Sequence, residues 1–231
     1  MTRKTTLVFS FGLLCIALWG QPLHSEEKCD RIVTQFNMGT QGGFPEDWEI
    51  RSSSDEKKAK KWKLYTIQND ETGPFMRADY QQKAITLHKE VKDWDLKTHP
   101  YIEWKWRAHT LPTDGHEGES SRNDAAASIY VIWKSSFVMR VKSIKFTWSS
   151  TLPVDTHLSK RLGHDQVHVV DSGVDKLGEW QTHRMNVRDL FLDYFKKDKI
   201  ETPVAIAILT DADGTDSDAV ADYGTIKICK E

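Results

Sequence analysis

The stretch "YIEWKWRAH", residues 101–109, decides the fold class because its polar and apolar side chains alternate without a break. One face carries Ile102, Trp104, Trp106 and Ala108, and the other carries Tyr101, Glu103, Lys105, Arg107 and His109. A period of two is typical of a β-strand with one face in a core and one in water. The stretch therefore predicts a strand that buries its tryptophans and lines the opposite face with charge.

Polar and apolar residues also alternate in most segments before and after this strand. We predict strands at residues 31–36, 62–68, 74–80, 83–91, 141–150, 165–173, 204–211 and 224–230, and a central strand in the apolar run 125–133. The exception is "MNVRDLFLDYFKK", whose apolar residues are spaced by three and four. It predicts one short amphipathic helix near residues 186–197, with Asn186 as N-cap. Together these elements predict an all-β fold, an antiparallel β-sandwich of jelly-roll type.

The first residues have the layout of a secretory signal peptide. Arg3 and Lys4 precede an apolar run from residue 7 to 19, and polar residues follow. The run is shorter than the roughly 20 residues of a membrane span, although an uncleaved anchor is an alternative. We predict a signal peptide at 1–25, a single domain at 26–231, no membrane span after cleavage and a periplasmic or secreted location. The charged run 52–63 is interpreted as a solvated loop or strand edge.

Two cysteines remain once the predicted signal peptide and its Cys15 are removed. An even cysteine count in an exported chain indicates a disulfide, here between Cys29 and Cys229. The alternative is two unrelated buried thiols. A bridge requires the two ends of the domain to be neighbours, with Cα atoms within about 7 Å.

The composition excludes some classes of function. Lys and Arg number 32 against 34 for Asp and Glu, so no basic excess marks the chain as a nucleic-acid binder. No phosphate-binding loop, nucleophile elbow or paired metal motif occurs in it. The nine tryptophans indicate either a thick core or an aromatic binding surface.

The charged face of the 101–109 strand is the first candidate binding site. If residues of neighbouring strands share this face, the result is a polar surface that suits sugar hydroxyls or an acidic polysaccharide, with aromatic rings as stacking platforms. The ligand-binding candidates are Glu103, Lys105, Arg107, Asp124, Tyr130, Lys145, Trp148 and His168, with Trp133 as a further stacking ring and Thr147 beside Lys145. The alternative is an exposed sheet face balanced by cross-strand ion pairs, with the tryptophans in the core.

The second candidate is the acidic stretch 208–224, "ILTDADGTDSDAVADYG". Asp211 and Asp213 leave a strand end together and could hold one calcium ion. An EF-hand is excluded because Asp216 occupies the position that requires glycine. The alternative is a polar turn whose side chains cap their own backbone. We expect no other cofactor. We expect Asp216, Asp218 and Asp222 to be solvent-exposed residues that only keep the turn hydrated.

Five ordered motifs resemble an uncharacterised bacterial family, the domain of unknown function 3047. They are "GGFPEDW" at 42–48, "IEWKWRA" at 102–108, "RNDAAASIYVIW" at 122–133, "LGEWQTHRMNVRDLF" at 177–191 and "ILTDADGTDSDAVADYG" at 208–224. The resemblance covers nearly all of the chain after the signal peptide. It implies an exported bacterial protein of one domain with no established activity, and it supplies no catalytic residues. Asn123 stands where the family pattern often has an acidic residue, which weakens a paired-carboxylate role there.

Three hypotheses follow for the function. The first is an exported β-sandwich that binds a carbohydrate or cell-envelope glycan without catalysis. The second is a glycan-cleaving enzyme, a lyase or hydrolase, on the same scaffold, with Glu103, Asp124, Tyr130, Arg107 and His168 as catalytic candidates. The third is a structural envelope protein. A single groove that held Glu103, Arg107, Tyr130 and His168 would favour either of the first two, and a scattered arrangement of these side chains would count against both.

Overall fold

The computed structural model describes residues 28–80, 83–134 and 141–231, and the predicted signal peptide lies outside them. The described residues form strands and two α-helices. These are β1 Arg31–Thr34, α1 Ser53–Trp62, β2 Tyr65–Asp70, β3 Gly73–Asp79, β4 Leu87–Glu90, β5 Tyr101–Thr110, β6 Ala125–Lys134, β7 Val141–Ser149, β8 His157–Lys160, β9 Asp165–Ser172, β10 Gln181–Asn186, α2 Val187–Tyr194, β11 Ala205–Asp211 and β12 Val220–Cys229.

The strands form two sheets that pack face to face. Sheet A has the order β10-β5-β12-β3-β2, with β1 also paired to β12, and sheet B has the order β4-β11-β6-β7-β9-β8. The chain passes repeatedly from one sheet to the other, as in a jelly roll. The predicted antiparallel sandwich is confirmed, with one parallel pair, β7 beside β9.

The core lies between the sheets and is built from the apolar face predicted for β5. Ile102, Trp104 and Trp106 are buried there, and the ring of Trp104 lies 5.1 Å from that of Phe146 in the opposite sheet. Aromatic side chains bury large apolar areas, so these rings account for much of the stabilisation of the sandwich. The tryptophan content therefore reflects a thick core.

The two ends of the domain are joined as predicted. Cys29 and Cys229 form a disulfide with a Cα–Cα distance of 3.9 Å across 200 residues of sequence. The first strand, β1, pairs with the last strand, β12. The prediction of a bridge between the first and last parts of the domain is confirmed.

Both helices have recognisable caps, but only one was predicted. The Asn186 side chain accepts a hydrogen bond of 3.1 Å from the Asp189 amide at the start of α2, which confirms the predicted helix. The charged run 52–63 forms α1, so its interpretation as a loop or strand edge was wrong. Ser52 accepts from the Asp55 amide, and Lys63 ends the helix in the left-handed conformation. In the described part of the chain, no helix combines the length and apolarity needed to cross a membrane.

Candidate functional site

The outer face of sheet A carries the charged side chains predicted for β5. Glu103, Lys105 and Arg107 alternate with the buried residues of the strand. Asp222 of β12 lies between Arg107 of β5 and Arg77 of β3, and each arginine is its direct cross-strand partner. The predicted face is therefore confirmed, and its centre is an ion cluster that joins three strands.

Asp222 is fully buried in this cluster, which corrects the expectation that it keeps the turn in water. It accepts hydrogen bonds from Arg77 Nε at 2.7 Å, Arg107 Nη2 at 2.7 Å and His109 Nε2 at 2.6 Å. Burial opposes ionisation, but these hydrogen bonds outweigh it and lower the pKa of Asp222 to about 2. The carboxylate is therefore a satisfied structural anion rather than an open ligand.

Arg107 and Lys105 also pack against one aromatic ring of this face. The Arg107 guanidinium lies 4.5 Å from the ring centroid of Trp180, and Lys105 Nζ lies 4.7 Å from the same ring. The Lys105 side chain crosses the surface of Gly224, where an added Cβ would lie 2.4 Å from its Cγ. Such mutual contacts match the alternative in which the face is balanced by cross-strand pairs.

Tyr130 and Lys145 lie on the outer face of the other sheet, B, so they do not share a face with Glu103 and Arg107. Lys145 of β7 pairs with Tyr130 of β6, which also pairs with Ala207 of β11. The expectation of one surface that includes Lys145 and Thr147 with the β5 charges was wrong. Alternation shows which residues of a strand face outward, but it does not say to which sheet the strand belongs.

His168 lies apart from both outer faces. It pairs with the core residue Phe146, and its Nδ1 lies 2.7 Å from the Tyr194 hydroxyl of α2. Burial lowers the pKa of His168. The expected groove that joins Glu103, Arg107, Tyr130 and His168 therefore does not exist, and the hypotheses that relied on it need another site.

Two of the expected stacking platforms are core residues. Trp133 and Trp148 are fully buried, and their indole N–H groups donate to the carbonyl oxygens of Glu201 and Gly173. A sugar could not reach either ring without unpacking the core. The prediction that they stack on a ligand was wrong, because their strand positions face the opposite sheet rather than solvent.

The polar loop at residues 111–124 covers one end of the outer face of sheet B. Glu117 is fully buried and accepts hydrogen bonds from Thr147 Oγ1 at 3.1 Å and Ser149 Oγ at 2.6 Å. Lys160 of β8 donates to the Glu117 carbonyl and to Asn123 Oδ1. Sequence reasoning missed Ser149 and Lys160, because neither belongs to a motif and only the fold brings them to this loop.

An open cleft of about 800 Å³ occupies the other end of the same face. Its walls come from outward residues of three neighbouring strands, among them His88, Glu90, Ala205, Ala207, Ile132 and Lys134. Tyr130 does not line the cleft, but it lies on the same face, beside Ala207 and two residues before Ile132. The cleft and the pair Tyr130–Lys145 therefore share the outer face of sheet B.

Lys145 is a charged group with little exposure. It is 5% exposed, and its Nζ lies 5.9 Å from the Tyr130 ring centroid. Burial favours the neutral amine, but interactions with Tyr130, Glu117 and Asp211 raise its pKa, so the group remains an ammonium. In the residues that the structure describes, no carboxylate oxygen lies within 4.0 Å of this nitrogen.

Three aspartates meet beside this face, at the start of β6 and the end of β11. One oxygen each from Asp124, Asp211 and Asp213 lies within 4.8 Å of the others. Asp124 accepts hydrogen bonds from the amides of Gly214 at 3.1 Å and Thr215 at 2.6 Å. Burial and the nearby Asp213 carboxylate raise the pKa of Asp211 to about 7. The predicted pair Asp211 and Asp213 thus lies together, with Asp124 as a third member.

Solved structures similar to this chain include polysaccharide-binding and polysaccharide-cleaving proteins. A family 11 carbohydrate-binding module from Clostridium thermocellum, in complex with a β-1,3-1,4-mixed-linked tetrasaccharide, is 12% identical and has a TM-score of 0.42, over 87% of this chain and 95% of that one. The family 11 module of the cellulase Lic26A-Cel5E from the same organism is 12% identical with a TM-score of 0.43, over 89% and 95%. The xyloglucanase domain of a type three effector from Sinorhizobium fredii, in complex with cellobiose, is 9% identical with a TM-score of 0.38, over 73% and 95%. At these identities, the ligands and activities are statements about those proteins alone.

No curated protein matches the chain. The model of one protein family matches residues 46–227, which is most of the sequence. The match confirms the resemblance that the five sequence motifs indicated. The chain belongs to the family described as "Protein of unknown function (DUF3047)".

Proposed function

We propose that the protein is an exported bacterial β-sandwich that binds a carbohydrate or cell-envelope glycan on the outer face of sheet B, without catalysis. The observation that carries the proposal is the open cleft on the sheet face that also carries Tyr130 and Lys145. This site replaces the groove around Glu103 and Arg107 expected from the sequence.

The chemistry of the cleft suits a sugar. Sugar rings present hydroxyl groups at their edges and C–H groups on their faces. His88, Glu90 and Lys134 offer hydrogen-bond donors and acceptors, while Ala205 and Ile132 form an apolar surface between them. The small alanine side chains allow a flat ring to approach the sheet closely.

Lys145 supplies the strongest polar contact in this proposal. A buried ammonium has three donors, and leaving them without acceptors costs free energy. Tyr130 already interacts with Lys145, and a ligand hydroxyl or carboxylate would accept from a donor that Tyr130 leaves free. We therefore expect Lys145 and Tyr130 to contribute more affinity than any residue at the mouth of the cleft.

Export is part of the proposal and is supported by the disulfide. Disulfides persist in the periplasm and outside the cell, where thiols are not kept reduced. The bridge Cys29–Cys229 and the signal-peptide pattern at 1–25 are consistent with such a location.

Binding without cleavage is favoured by the positions of the predicted catalytic candidates. A glycan-cleaving mechanism of the common type places two carboxyl groups across one cleft. Glu103 belongs to sheet A, whereas Asp124 precedes β6 of sheet B and is held by loop amides. These two carboxylates therefore do not face a shared substrate.

A glycan-array screen with parallel detection of new reducing ends tests the proposal. For a glycan that binds, Lys145→Met and Tyr130→Leu should each weaken binding by about tenfold or more, since a hydrogen bond to a charged group contributes about 1.5–3 kcal/mol. The matched control is Lys105→Met, which removes the same charge from sheet A and should leave affinity unchanged.

The other outcomes separate the alternatives. A loss of binding in Lys105→Met but not in Lys145→Met would place the site on sheet A and overturn the proposal. New reducing ends would identify an enzyme. No binding to any glycan would favour a structural role in the envelope.

A further inference from the structure

We propose that the ligand of the cleft is a neutral, unbranched polysaccharide whose chain lies along β11, between β4 and β6. Such a ligand is a narrower case of the glycan proposed above, so the inference rests on the proposed function. The arrangement of the floor and the two walls of the cleft carries it.

The floor of the cleft follows one strand. Residues 202–207 line it, and the outward side chains of its β11 part are Ala205 and Ala207. The strand pairing continues before β11, since the Val204 amide donates to the Ile132 carbonyl at 2.8 Å. At about 3.3 Å per residue, the extended chain from 202 to 207 spans roughly 16 Å. The floor is therefore long enough for several sugar units in a row.

The walls leave room for a single chain. The strands β4 and β6 flank β11, with Glu90 and Ile132 both opposite Ala205. Neighbouring strands are about 4.8 Å apart, so the two wall strands are about 10 Å apart. The larger side chains of both walls rise beside the small alanine. A branch on an enclosed sugar unit would therefore meet a wall, which favours an unbranched chain.

The two walls differ in chemistry. The wall formed by β4 and its flanking residues is polar, with side chains at every second position, about 6.6 Å apart. These residues are Thr86, His88, Glu90 and Lys92. The opposite wall presents the apolar side chains of Ile132 and Val141. A flat sugar chain can therefore turn its hydroxyl edge towards β4 and its C–H groups towards the other wall.

The polar groups of the β4 wall are available to a ligand. Within the described part of the chain, the side chains of Thr86, Glu90 and Lys92 form no hydrogen bond or ion pair. Sheet A differs, because its Arg107 is paired with the buried Asp222. The free donors and acceptors of the β4 wall can each bind a sugar hydroxyl.

The charges that line the cleft have mixed signs. Arg51, Lys92 and Lys134 supply positive charge. Glu90 and Asp93 supply negative charge in the same cleft. A polyanion would be attracted by the first group and repelled by the second. A hydroxyl both donates and accepts, so a neutral chain can bind to side chains of either sign.

Isothermal titration with defined oligosaccharides tests the inference. The probes are unbranched cello-, manno- and xylo-oligosaccharides from monosaccharide to hexasaccharide, with xyloglucan and galactomannan as branched counterparts and oligogalacturonates as anionic ones. In at least one unbranched series, affinity should rise about tenfold or more from the disaccharide to the hexasaccharide as the floor is filled. The branched counterpart and the oligogalacturonates should bind more weakly.

Substitutions in the cleft locate the bound chain. Ala205→Trp fills the floor and should weaken hexasaccharide binding by about tenfold or more. The matched control, Thr182→Trp, adds the same ring at an exposed position on the outer face of sheet A and should leave affinity unchanged. Glu90→Ala adds no volume and should weaken binding by about threefold or more, as the loss of one hydrogen bond does. Thermal unfolding checks that each variant is folded.

Amide NMR shifts report the direction of the chain. A hexasaccharide along β11 should shift the signals of residues 86–92 and 203–207 together. A chain that crosses the strands would shift only one cross-strand row, such as Glu90, Ala205 and Ile132, and would overturn the inference.

The remaining outcomes distinguish this inference from the proposed function. Suppose that Lys145→Met weakens binding, but monosaccharides, branched glycans or oligogalacturonates bind as tightly as the unbranched hexasaccharides. The glycan site would then stand, and the neutral, unbranched chain would be overturned. The same conclusion would follow if a folded Ala205→Trp variant and Glu90→Ala both bound normally. Failure of every glycan to bind the parent protein would overturn both proposals.

Discussion

The carboxylate of Asp222 and the guanidinium of Arg107 form a two-bond ion pair, with Arg107 Nε and Nη2 lying 3.0 and 2.7 Å from Asp222 Oδ2. Arg77 binds the same carboxylate from the strand on the other side. The Asp222 carboxylate is thus shared between the two strands that flank β12. Its loss should weaken the attachment of both strands to β12.

We predict that Asp222→Asn lowers the free energy of unfolding by about 3 kcal/mol, the lower end of what breaking a buried ion pair costs. The amide keeps the shape of the side chain but leaves two guanidinium groups without their anion. Urea unfolding measures the change. The control is Asp193→Asn, which removes an exposed pair with Lys196 and should change stability by less than about 1 kcal/mol. Equal effects of the two substitutions would show that the buried cluster is not stabilising.

Stability should fall in acid as Asp222 is protonated. Its pKa is about 2 in the folded protein and about 3.9 in an unfolded chain, so the folded state favours the ionised form. This contribution is fully present above about pH 4, and it is lost as the pH falls towards 2. The shift corresponds to at most about 2–3 kcal/mol. Unfolding free energies measured from pH 5 to 2 should fall less steeply for Asp222→Asn than for the parent, and parallel curves would contradict the assignment.

Asp124→Ala should release the β11–β12 loop from the start of β6. The Asp124 carboxylate accepts from the Gly214 amide, the Thr215 amide and the Thr215 hydroxyl. Hydrogen bonds to a charged acceptor contribute about 1.5–3 kcal/mol each, and their loss leaves these loop amides open to exchange. Hydrogen exchange at Gly214 and Thr215 should accelerate by about tenfold or more. The control is Asp218→Ala, an exposed residue of the same loop. Unchanged exchange in Asp124→Ala would show that the Asp124 carboxylate does not hold the loop.

Removal of the disulfide should cost a large share of the stability. The bridge closes a loop of 200 residues, for which the chain-entropy estimate is about 5 kcal/mol as an upper figure. The double variant Cys29→Ser, Cys229→Ser should therefore unfold at much lower urea concentration than the oxidised protein. Reduction of the parent protein should reproduce this shift, and it should have no effect on the double variant. Mass spectrometry without reductant checks the bridge directly, and two free thiols in exported protein would contradict it.

Local sequence patterns predicted much of this fold because they reveal which side chains of one strand or helix face the core. The alternation in β5 identified which side chains enter the core, and the spacing around Val187 and Phe191 predicted α2. The helix α1 was missed although its signals were present. Ser52 is an N-cap residue, acidic residues fill the first turn and lysines fill the last. The apolar stripe of the segment is narrow, so its helical periodicity is weak.

The site could not be predicted in the same way because it depends on strand order. Lys105 and Lys145 both face outward from alternating strands, yet one belongs to sheet A and the other to sheet B. Asp222 was taken for a turn residue, and its burial follows from pairing with Arg77 and Arg107, which are 145 and 115 residues away in sequence. Periodicity has no information about such distant partners.

The bridge between Cys29 and Cys229 also determines how the domain would respond to mechanical force. Tension applied between the two ends would pass through the sulfur–sulfur bond rather than through the strands, because the sandwich lies entirely within the closed loop. Since β1 and β12 both belong to sheet A, the load would enter on the sheet opposite to the cleft. The cleft would therefore keep its shape while the oxidised chain is stretched, and a reduced chain would extend by the full length of the loop.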